Sequence, residues 1–394
     1  MFSLASTVLL ACAAVALVVY LLGIWSAWRH VSRPLPDLSD QTLPPVTLLK
    51  PLKGMEDELE ENLRSFFEQQ YPAPVQIVFA STDPDDPALA LAHQLAASYP
   101  EADTAFVVAD PGYGLNPKVC NLKGALDTAK HDTIVQSDAN VRFRPGFLRQ
   151  VVGEFVAEQA SLQGCLVVGS GERSPGAALE NLQLSAFIAP AMCAALVFGR
   201  TTCIVGKTEV YRRSELERLG GMEIVKDMLL EDFVLGKTYR KAGKKLLLSR
   251  LATYNVNVTS SLGAFFNRHT RWLIMAAVVS KPALLAELFS NPLALSLAAW
   301  AASGFELRLL AAPASVAVLK TTVDAWAVRF MRGRGMKLGH CLLSPVRDLL
   351  HLAIWVHSAF TRTTQWRGRR FRLGPDTRII PLPDAGLGTN EEDD

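Results

Sequence analysis

Two adjacent carboxylates, Glu231 and Asp232, interrupt an apolar run near the middle of the chain. Two glycines precede the run, and residues 234–241 predict a short helix that ends before Gly243. Acidic side chains are favoured at a helix N-terminus by free backbone N–H groups and by the helix dipole. The pair therefore indicates either a helix cap or a catalytic carboxylate, and the pair alone does not decide between them.

Three further groups of polar residues each come after a short apolar segment upstream of this pair. The groups occupy residues 81–86, 112–118 and 137–140. Each group alone is typical of a polar turn. Because the carboxyl ends of parallel strands meet at one edge of a sheet, the three groups together predict a cleft lined with carboxylates and one lysine. The side chains concerned include Asp83, Lys118 and Asp138.

Arg268, Arg271 and Trp272 form another candidate group further along the chain. Two arginines three positions apart share one face of a helix. Guanidinium groups suit diphosphate oxygens, and an indole can stack on or shape a ring-bearing substrate. The same residue types are also typical of a membrane interface, so the residues alone leave both interpretations open.

The elements that must position these residues alternate between strand and helix. Apolar runs predict strands at residues 46–49, 75–80, 105–109, 133–136 and 164–170. Helical periodicity is found between the first four, at residues 55–67, 86–95 and 118–130. This alternation predicts an α/β domain with a mainly parallel sheet. No Walker A loop and no G-x-G-x-x-G comes after the first strand, so the usual nucleotide-triphosphate and dinucleotide fingerprints are missing.

The chain of 394 residues is rich in apolar side chains, which make up 49% of it, and its mean hydropathy is +0.19. The excess lies in residues 4–28, which carry no charge, and in much of the region after residue 272. A helix over residues 4–28 is long enough to span the roughly 30 Å of hydrocarbon in a bilayer. Arg29 and Arg33 come directly after it, which predicts a retained transmembrane anchor with the remainder of the chain facing the cytoplasm.

The overall charge and the cysteines exclude several other classes of protein. A net charge of +2 argues against a nucleic-acid partner. Basic residues cluster beside apolar segments instead, as expected next to anionic lipid, so the predicted partner is the bilayer. The six cysteines contain no C-x-x-C pair, and neither a disulfide framework nor a zinc site is expected.

The last third of the chain predicts further membrane-associated helices. Residues 282–304 and 305–330 suit a hairpin that crosses the membrane twice. Residues 338–360 are apolar but carry Arg347 and Asp348, which favours a re-entrant or interfacial helix. The two charges either pair with each other or line an entrance for a lipid acceptor, and simple pairing is the favoured interpretation. Residues 390–394 form a solvated acidic tail.

Taken in order, Asp83, Asp138, Glu231-Asp232 and the Arg268-x-x-Arg271-Trp272 run resemble the D, D, D, (Q/R)xxRW signature of inverting family-2-like glycosyltransferases. Over residues 46–272, and again at residues 364–369, the chain more closely resembles the ceramide glucosyltransferase family. Its bacterial relatives include hopanoid-modifying glycosyltransferases. The resemblance implies a GT-A fold, which is Rossmann-like with a mainly parallel sheet, and a UDP-sugar donor.

The resemblance also implies roles on the donor side. Asp83 would hold the uracil or the ribose of the donor. Asp138 would lie by the diphosphate and, with Asn140, help to ligate Mg²⁺ or Mn²⁺ as the cofactor. Lys118 resembles part of a family N-P-K stretch and would face the donor phosphates. A hard, oxygen-ligated divalent ion neutralises a leaving diphosphate.

On the acceptor side, the resemblance implies that Asp232 is the general base for the acceptor hydroxyl. Arg268, Arg271 and Trp272 would hold the diphosphate and close the acceptor side. Apolar neighbours of Asp232 would raise its pKa by desolvation. In-line attack from the opposite face would turn an α-linked donor into a β-glycoside.

Two departures from the family pattern leave alternatives open. Many glycosyltransferases have D-x-D at the metal site, whereas residues 138–140 offer one carboxylate and one amide, so strict metal dependence is not implied. Ceramide glucosyltransferases share a His-Pro pair where this chain reads Ile188-Ala189-Pro190. The acceptor is therefore not fixed by the motifs.

These observations predict a membrane-bound hexosyltransferase that moves a hexose from a UDP-sugar to a lipid hydroxyl, most simply glucose from UDP-glucose to ceramide. Alternatives are a hopanoid or other lipid acceptor with UDP-N-acetylglucosamine or another UDP-sugar, and a non-catalytic lipid-binding scaffold. A processive polysaccharide synthase would need more spanning helices, and a small transporter would leave the α/β pattern unexplained.

The predicted division of the chain is an anchor at 1–30, a linker at 31–45, a GT-A domain at 46–272, membrane-associated helices at 273–361 and a cytoplasmic tail at 362–394.

Overall fold

A computed structural model describes residues 3–39, 41–361, 363–366 and 369–382. The chain divides into two compact units. The unit named here the sheet unit comprises Arg29–Ser170 and Ala195–Val258. The other, named the helical unit, comprises the described residues within Met1–Trp28, Gly171–Ala194 and Thr259–Asp394. Residues 171–194 and 259–272 of the predicted GT-A range thus group with the helical unit, and the predicted domain boundaries stay a prediction.

The described helices are numbered in chain order. They are α1 (Leu4–Val31), α2 (Leu59–Phe67), α3 (Pro87–Ala96), α4 (Pro117–Asp127), α5 (Phe147–Ala157), α6 (Pro175–Gln183), α7 (Ala189–Val197), α8 (Arg213–Arg218), α9 (Glu231–Lys241), α10 (Leu262–Val279), α11 (Lys281–Leu288), α12 (Pro292–Ala302), α13 (Ala311–Arg332), α14 (Leu338–Cys341) and α15 (Ser344–Phe360). A π-helical turn, Leu184–Ile188, joins α6 to α7. Short 3-10 turns lie at Gly221–Val225, Leu307–Leu310 and Pro375–Thr377.

The described strands form two sheets. They are β1 (Val46–Pro51), β2 (Val75–Ser81), β3 (Asp103–Val108), β4 (Thr133–Ser137), β5 (Val141–Arg142), β6 (Leu162–Ser170), β7 (Thr208–Arg212), β8 (Leu246–Val256), β9 (Thr363–Trp366), β10 (Arg369–Leu373) and β11 (Ile379–Pro381). The sheet unit holds the order β3-β2-β1-β4-β7-β6-β8-β5, and the helical unit holds β11-β10-β9.

The sheet of the sheet unit confirms the predicted α/β class and is mainly parallel. Strands β3, β2, β1 and β4 run parallel to one another, and β6 runs parallel to β8. Strand β7 runs antiparallel between β4 and β6, and β5 pairs antiparallel with β8. The sequence did not predict β5, β7 or β8, so the centre of the sheet is more mixed than the alternation alone indicates.

Helices cover both faces of this sheet, which explains the continuous apolar character of its central strands. Successive residues of β1 point to opposite faces. Leu48 packs in a core with Phe66 of α2 and Phe147 of α5. Leu49 packs in a second core with residues such as Leu122 of α4. The sheet is thereby fixed from both sides, and its strand ends are held in place.

The helical unit contains two helical segments that are long and apolar enough to cross a membrane, counted over the described residues. The first is α1, as predicted, and the second is Pro175–Val197, in which 61% of the apolar window is buried within the structure. This second segment is continuous through α6, the π-helical turn and α7. The first segment of the predicted hairpin, residues 282–304, contains the two helices α11 and α12, and the second, residues 305–330, lies mostly in α13. Helix α12 has 11 residues and is about 16 Å long, shorter than the roughly 30 Å of a bilayer core.

Helix α15 carries the two charges that the sequence places in an apolar segment. Arg347 Nη2 lies 2.6 Å from Asp348 Oδ1, so the pairing expected from the sequence is present. Arg347 also lies 3.0 Å from Asp324 of α13. The acidic residues 390–394 lie outside the described residues.

Candidate active site

Lys118, Asp138 and Glu231 meet at one edge of the sheet unit. Lys118 Nζ lies 2.9 Å from Asp138 Oδ1 and 2.6 Å from Glu231 Oε1. Asp138 comes directly after β4, whereas Lys118 and Glu231 lie in the first turns of α4 and α9. Two groups that are far apart in the sequence, the strand-end carboxylates and the central acidic pair, are thus joined by one ammonium group.

The segment ahead of α4 binds the segment ahead of α9, which brings the two helix starts together. Asn116 accepts a hydrogen bond from the backbone N–H of Lys118 at 2.9 Å and thereby caps α4. Its Nδ2 donates to the carbonyl of Met228 at 2.7 Å, and its backbone N–H donates to the carbonyl of Lys226 at 2.9 Å. A Cβ on Gly114 would lie 2.5 Å from that same Lys226 oxygen, so only glycine permits this approach.

Gly206, between α7 and β7, lies at the centre of the cluster. Its backbone N–H donates to Asp232 Oδ2 at 2.6 Å, and its carbonyl accepts from Lys118 Nζ at 2.9 Å. A Cβ at this position would lie 3.1 to 3.2 Å from Lys118 Nζ, Asp232 Cβ and Glu231 Oε1. The sequence indicates no role for Gly206, because a single glycine before a strand carries no signal of what its backbone contacts.

The environment of Asp232 changes the proton affinity of its carboxyl group. Burial raises the pKa of this carboxyl most, and the neighbouring charge of Glu231 raises it further, to about 6. Lys118 and the backbone N–H groups of Gly206 and Phe233 act in the opposite direction. The N–H of Phe233 donates to Asp232 Oδ1 at 2.7 Å, which fixes the carboxylate. The other carboxylate oxygen accepts from Gly206, which lies outside the helix, so Asp232 is held by more than the N–H groups of α9.

Asp138 is ionised and is surrounded by positive charge. Burial alone would raise its pKa, but Lys118 and Lys207 hold the pKa well below its usual range. Lys207 Nζ lies 3.0 Å from Asp138 Oδ2 and donates to Asn140 Oδ1 at 3.0 Å. The buried ammonium of Lys50 donates to the backbone carbonyl of Asp138 at 2.5 Å.

Lys50 and Lys207 thus lie beside Asp138 in addition to the predicted Lys118. Lys50 ends an apolar run that has the pattern of an ordinary buried strand, and Lys207 comes after a glycine outside any motif. Burial lowers the pKa of Lys50 well below its usual value. Burial would also lower the pKa of Lys118, but the carboxylates of Asp138 and Glu231 raise it well above its usual value.

Asp83 comes after β2, and its strand is separated from β4 by β1 alone. Two strand spacings correspond to about 10 Å between the ends of β2 and β4. Asp83 is half exposed and lies 3.5 Å from Lys53. Its neighbour Asp86 is structural, since it is buried, caps α3 at the N–H of Ala88 and accepts from Gly54.

Arg268, Arg271 and Trp272 belong to the helical unit, where they lie on α10 as predicted. Arg268 Nη1 lies 3.3 Å from Glu180 Oε1 of α6. Arg271 donates to the carbonyl of Gln365 on β9 at 3.3 Å. The Trp272 ring lies edge-on to the His269 ring at 5.3 Å.

The predicted metal ligands offer a suitable but small set of donors. Asp138 and Asn140 supply hard oxygen atoms of the kind that Mg²⁺ and Mn²⁺ prefer. The single ammonium of Lys207 contacts an oxygen of each, so the two side chains converge on one cation-sized position. The described residues contain no group of three or more His, Cys, Asp or Glu arranged to hold a metal.

Comparison with known proteins gives consistent results over most of the chain. The model of Glycosyl transferase family 21 matches residues 8–379. Ceramide glucosyltransferase 1 of Caenorhabditis elegans is 25% identical over 353 residues, which cover 86% of this chain and 74% of that protein. Ceramide glucosyltransferase of Pyricularia oryzae is 24% identical, and the match covers 94% of each chain.

Among solved structures, the chain is similar to the mannosyltransferase PcManGT from Pyrobaculum calidifontis, which was solved in complex with GDP-Man and Mn²⁺. The TM-score is 0.51 and the identity is 18%, and the match covers 90% of this chain and 99% of that one. At this identity the likeness concerns the fold alone. It agrees with the GT-A fold that the family resemblance implies.

Proposed function

Because the chain belongs to glycosyl transferase family 21 and is a glycosyltransferase with a GT-A-like fold, we propose that it transfers glucose from UDP-glucose to ceramide. Two relatives that match most of the chain carry the name ceramide glucosyltransferase. The observation that carries the proposal is the partly buried cluster in which Asp232, with a pKa of about 6, lies beside the Lys118 ion pairs.

In the proposed reaction Asp232 is the general base. Its carboxylate accepts the proton of the acceptor hydroxyl while the hydroxyl oxygen bonds to the anomeric carbon and the bond to UDP breaks. The N–H groups of Gly206 and Phe233 hold the carboxylate in one orientation, which keeps its proton-accepting geometry fixed. Attack opposite to the leaving group gives a β-glycoside from an α-linked donor.

The positive charge for the leaving diphosphate comes from the lysines of the same cluster. Lys118 and Lys207 both lie within 3.0 Å of Asp138, so they are held close to the position proposed for the diphosphate. Asp138 and Asn140 would hold a Mg²⁺ or Mn²⁺ ion. When bound, that ion would neutralise the diphosphate oxygens.

The remaining predicted residues also have proposed roles. Asp83, at the end of β2, would bind the uracil or the ribose of the donor. Arg268, Arg271 and Trp272 would bind the diphosphate and close the acceptor side. Their position on one helix supports a shared role, although each also has a contact within the helical unit.

We further infer that the enzyme is attached to a bilayer with its catalytic residues on the cytoplasmic side. Two helical segments of the described chain are long and apolar enough to span a membrane. Arg29 and His30 lie in the last turn of α1, which supports a cytoplasmic location for the sheet unit that begins there. A lipid acceptor would then be reached from the membrane surface.

A second acceptor class is favoured by one segment. The chain has Ile188-Ala189-Pro190, at the end of the π-helical turn, where the resembled family has a His-Pro pair. A hopanoid or another lipid hydroxyl is the alternative acceptor for this reason. UDP-N-acetylglucosamine or another UDP-sugar is the corresponding alternative donor.

The test is mass spectrometry of lipid extracts from cells that express the protein or its Asp232→Asn variant. We expect a ceramide heavier by one hexose only with the unchanged protein. The matched control is Glu217→Gln, which alters an exposed carboxylate outside the cluster and leaves the product in place. Equal extracts from unchanged and Asp232→Asn cells, with both proteins in the membrane, would contradict a catalytic function.

A further inference from the structure

Lys207 holds the two side chains that are proposed to bind the divalent cation. Its Nζ lies 3.0 Å from Asp138 Oδ2 and 3.0 Å from Asn140 Oδ1. Metal–oxygen distances for Mg²⁺ are about 2.1 Å, so an ion bound to both oxygens would take the position of this ammonium. The ammonium of Lys207 and the metal ion cannot occupy that position together, so one of them must leave.

The backbone of Lys207 is fixed beside Asp138, whereas its side chain has a route to solvent. The carbonyl of Lys207 accepts hydrogen bonds from the N–H of Asp138 at 3.2 Å and from the hydroxyl of Thr208 at 2.9 Å. The side chain is 23% exposed. A lysine stem is flexible and its ammonium is a compact point charge, so the ammonium can move while the backbone stays in place.

Lys118 differs from Lys207 in how firmly it is held. Its ammonium donates to the carbonyl of Gly206 at 2.9 Å and forms ion pairs with Asp138 at 2.9 Å and Glu231 at 2.6 Å. These contacts join three separate segments of the chain. Lys118 is therefore the fixed positive charge of the cluster, and Lys207 is the one that can be exchanged.

We propose that Lys207 occupies the cation position of the ligand-free enzyme and gives it up only when donor diphosphate and divalent cation arrive together. The diphosphate then offers the displaced ammonium new anionic partners, as phosphate oxygens readily do. The enzyme thus binds the divalent cation weakly without nucleotide and more tightly with it. This inference rests on the proposed metal site and deepens it, because it assigns the coupling to one side chain of this chain.

The test is Mn²⁺ binding to the purified full-length protein in detergent, measured by electron paramagnetic resonance with and without UDP. We expect Lys207→Met to bind Mn²⁺ at least about tenfold more tightly than the unchanged protein without UDP, because a positive charge within 3.0 Å of the ligands is gone. Adding UDP should increase the Mn²⁺ affinity of this variant less than that of the unchanged protein. Lys207→Arg keeps the charge and should behave like the unchanged protein.

Two results would overturn the inference. One is that Lys207→Met binds Mn²⁺ no more tightly than the unchanged protein, with the variant folded by thermal unfolding. The other is that Lys207→Met combined with Asp138→Asn keeps the tighter binding, since the exchange must occur at Asp138. The lipid product is measured separately, so absence of a glycosylated lipid alongside the expected Mn²⁺ behaviour would reject the proposed acceptor reaction and not this exchange.

Discussion

Lys118 Nζ and Glu231 Oε1 are 2.6 Å apart, although the two residues lie on different helices that are distant in the sequence. The ion pair joins the start of α4 to the start of α9, and the same ammonium also holds Asp138. Asp138 and Glu231 therefore share one positive charge. A change at Lys118 is expected to affect both.

Lys118→Met is expected to abolish activity and to lower stability. Lys118 is only 18% exposed, and removing one partner of a largely buried ion pair leaves uncompensated charge and costs up to about 3 kcal/mol. Thermal unfolding of the purified protein should show a clear fall in the midpoint. Lys123→Met is the control, since it breaks an exposed pair with Asp127 on the same helix and should change the midpoint little. Equal midpoints for both variants would contradict the structural role of Lys118.

Gly206→Ala is expected to lower activity at least about tenfold with a smaller effect on folding, because misplacement of catalytic groups by a fraction of an ångström is costly. The added Cβ would lie 3.1 to 3.2 Å from Lys118 Nζ, Asp232 Cβ and Glu231 Oε1 and would shift them. Turnover of UDP-glucose measures the effect. Gly339→Ala is the control, because a Cβ there meets nothing within 4 Å. Full activity of Gly206→Ala would show that the cluster tolerates rearrangement.

The pH dependence of kcat/KM is expected to follow Asp232. The pKa of this group is about 6, so the base is protonated and inactive below that value and activity rises as pH increases through it. Glu231→Gln removes a charge that raises this pKa, and the rise in activity should move to lower pH. Glu217→Gln should leave the profile in place. An unmoved profile in Glu231→Gln would contradict the assignment of the rise to Asp232.

Glu209→Gln is expected to stabilise the protein increasingly as pH rises. Glu209 is fully buried on β7, neither carboxylate oxygen has a hydrogen-bond partner among the described residues, and burial raises its pKa well above the usual value. The folded state thus holds a proton that the unfolded state releases above its ordinary pKa. Wild-type stability falls as pH rises from the unfolded toward the folded pKa, and glutamine lacks this dependence.

The measurement is the difference in thermal midpoint between Glu209→Gln and the unchanged protein at pH 5 and at pH 8. The difference should be more positive at pH 8. A difference that is independent of pH would mean that Glu209 titrates alike in the folded and unfolded states.

The parallel half of the sheet was predictable because its strands are continuous apolar runs separated by helical segments. Asp83 and Asp138 were predictable as candidates from their positions directly after such strands. Lys207 was not, because it meets Asp138 only through β7, which pairs antiparallel with β4 and places Thr208 opposite Ser137. Short strands such as β7 have no periodicity that reveals their partner.

The contacts of the central acidic pair, Glu231 and Asp232, could not be predicted from the sequence either. Its location in an apolar run was visible in the sequence, and the structure adds the reason for its chemistry. The N–H of Gly206 and the ammonium of Lys118 approach it from distant segments. Backbone contacts of this kind depend on tertiary packing and leave no residue pattern in the sequence.

The decisive experiment is incubation of the purified enzyme with UDP-glucose and ceramide, with the lipid product then analysed by nuclear magnetic resonance. We predict a single β-linked glucosylceramide, formed by the unchanged protein and lost in Asp232→Asn. An α-linked product would contradict inversion with Asp232 as the base. The same product from Asp232→Asn at an unchanged rate would contradict the role assigned to Asp232.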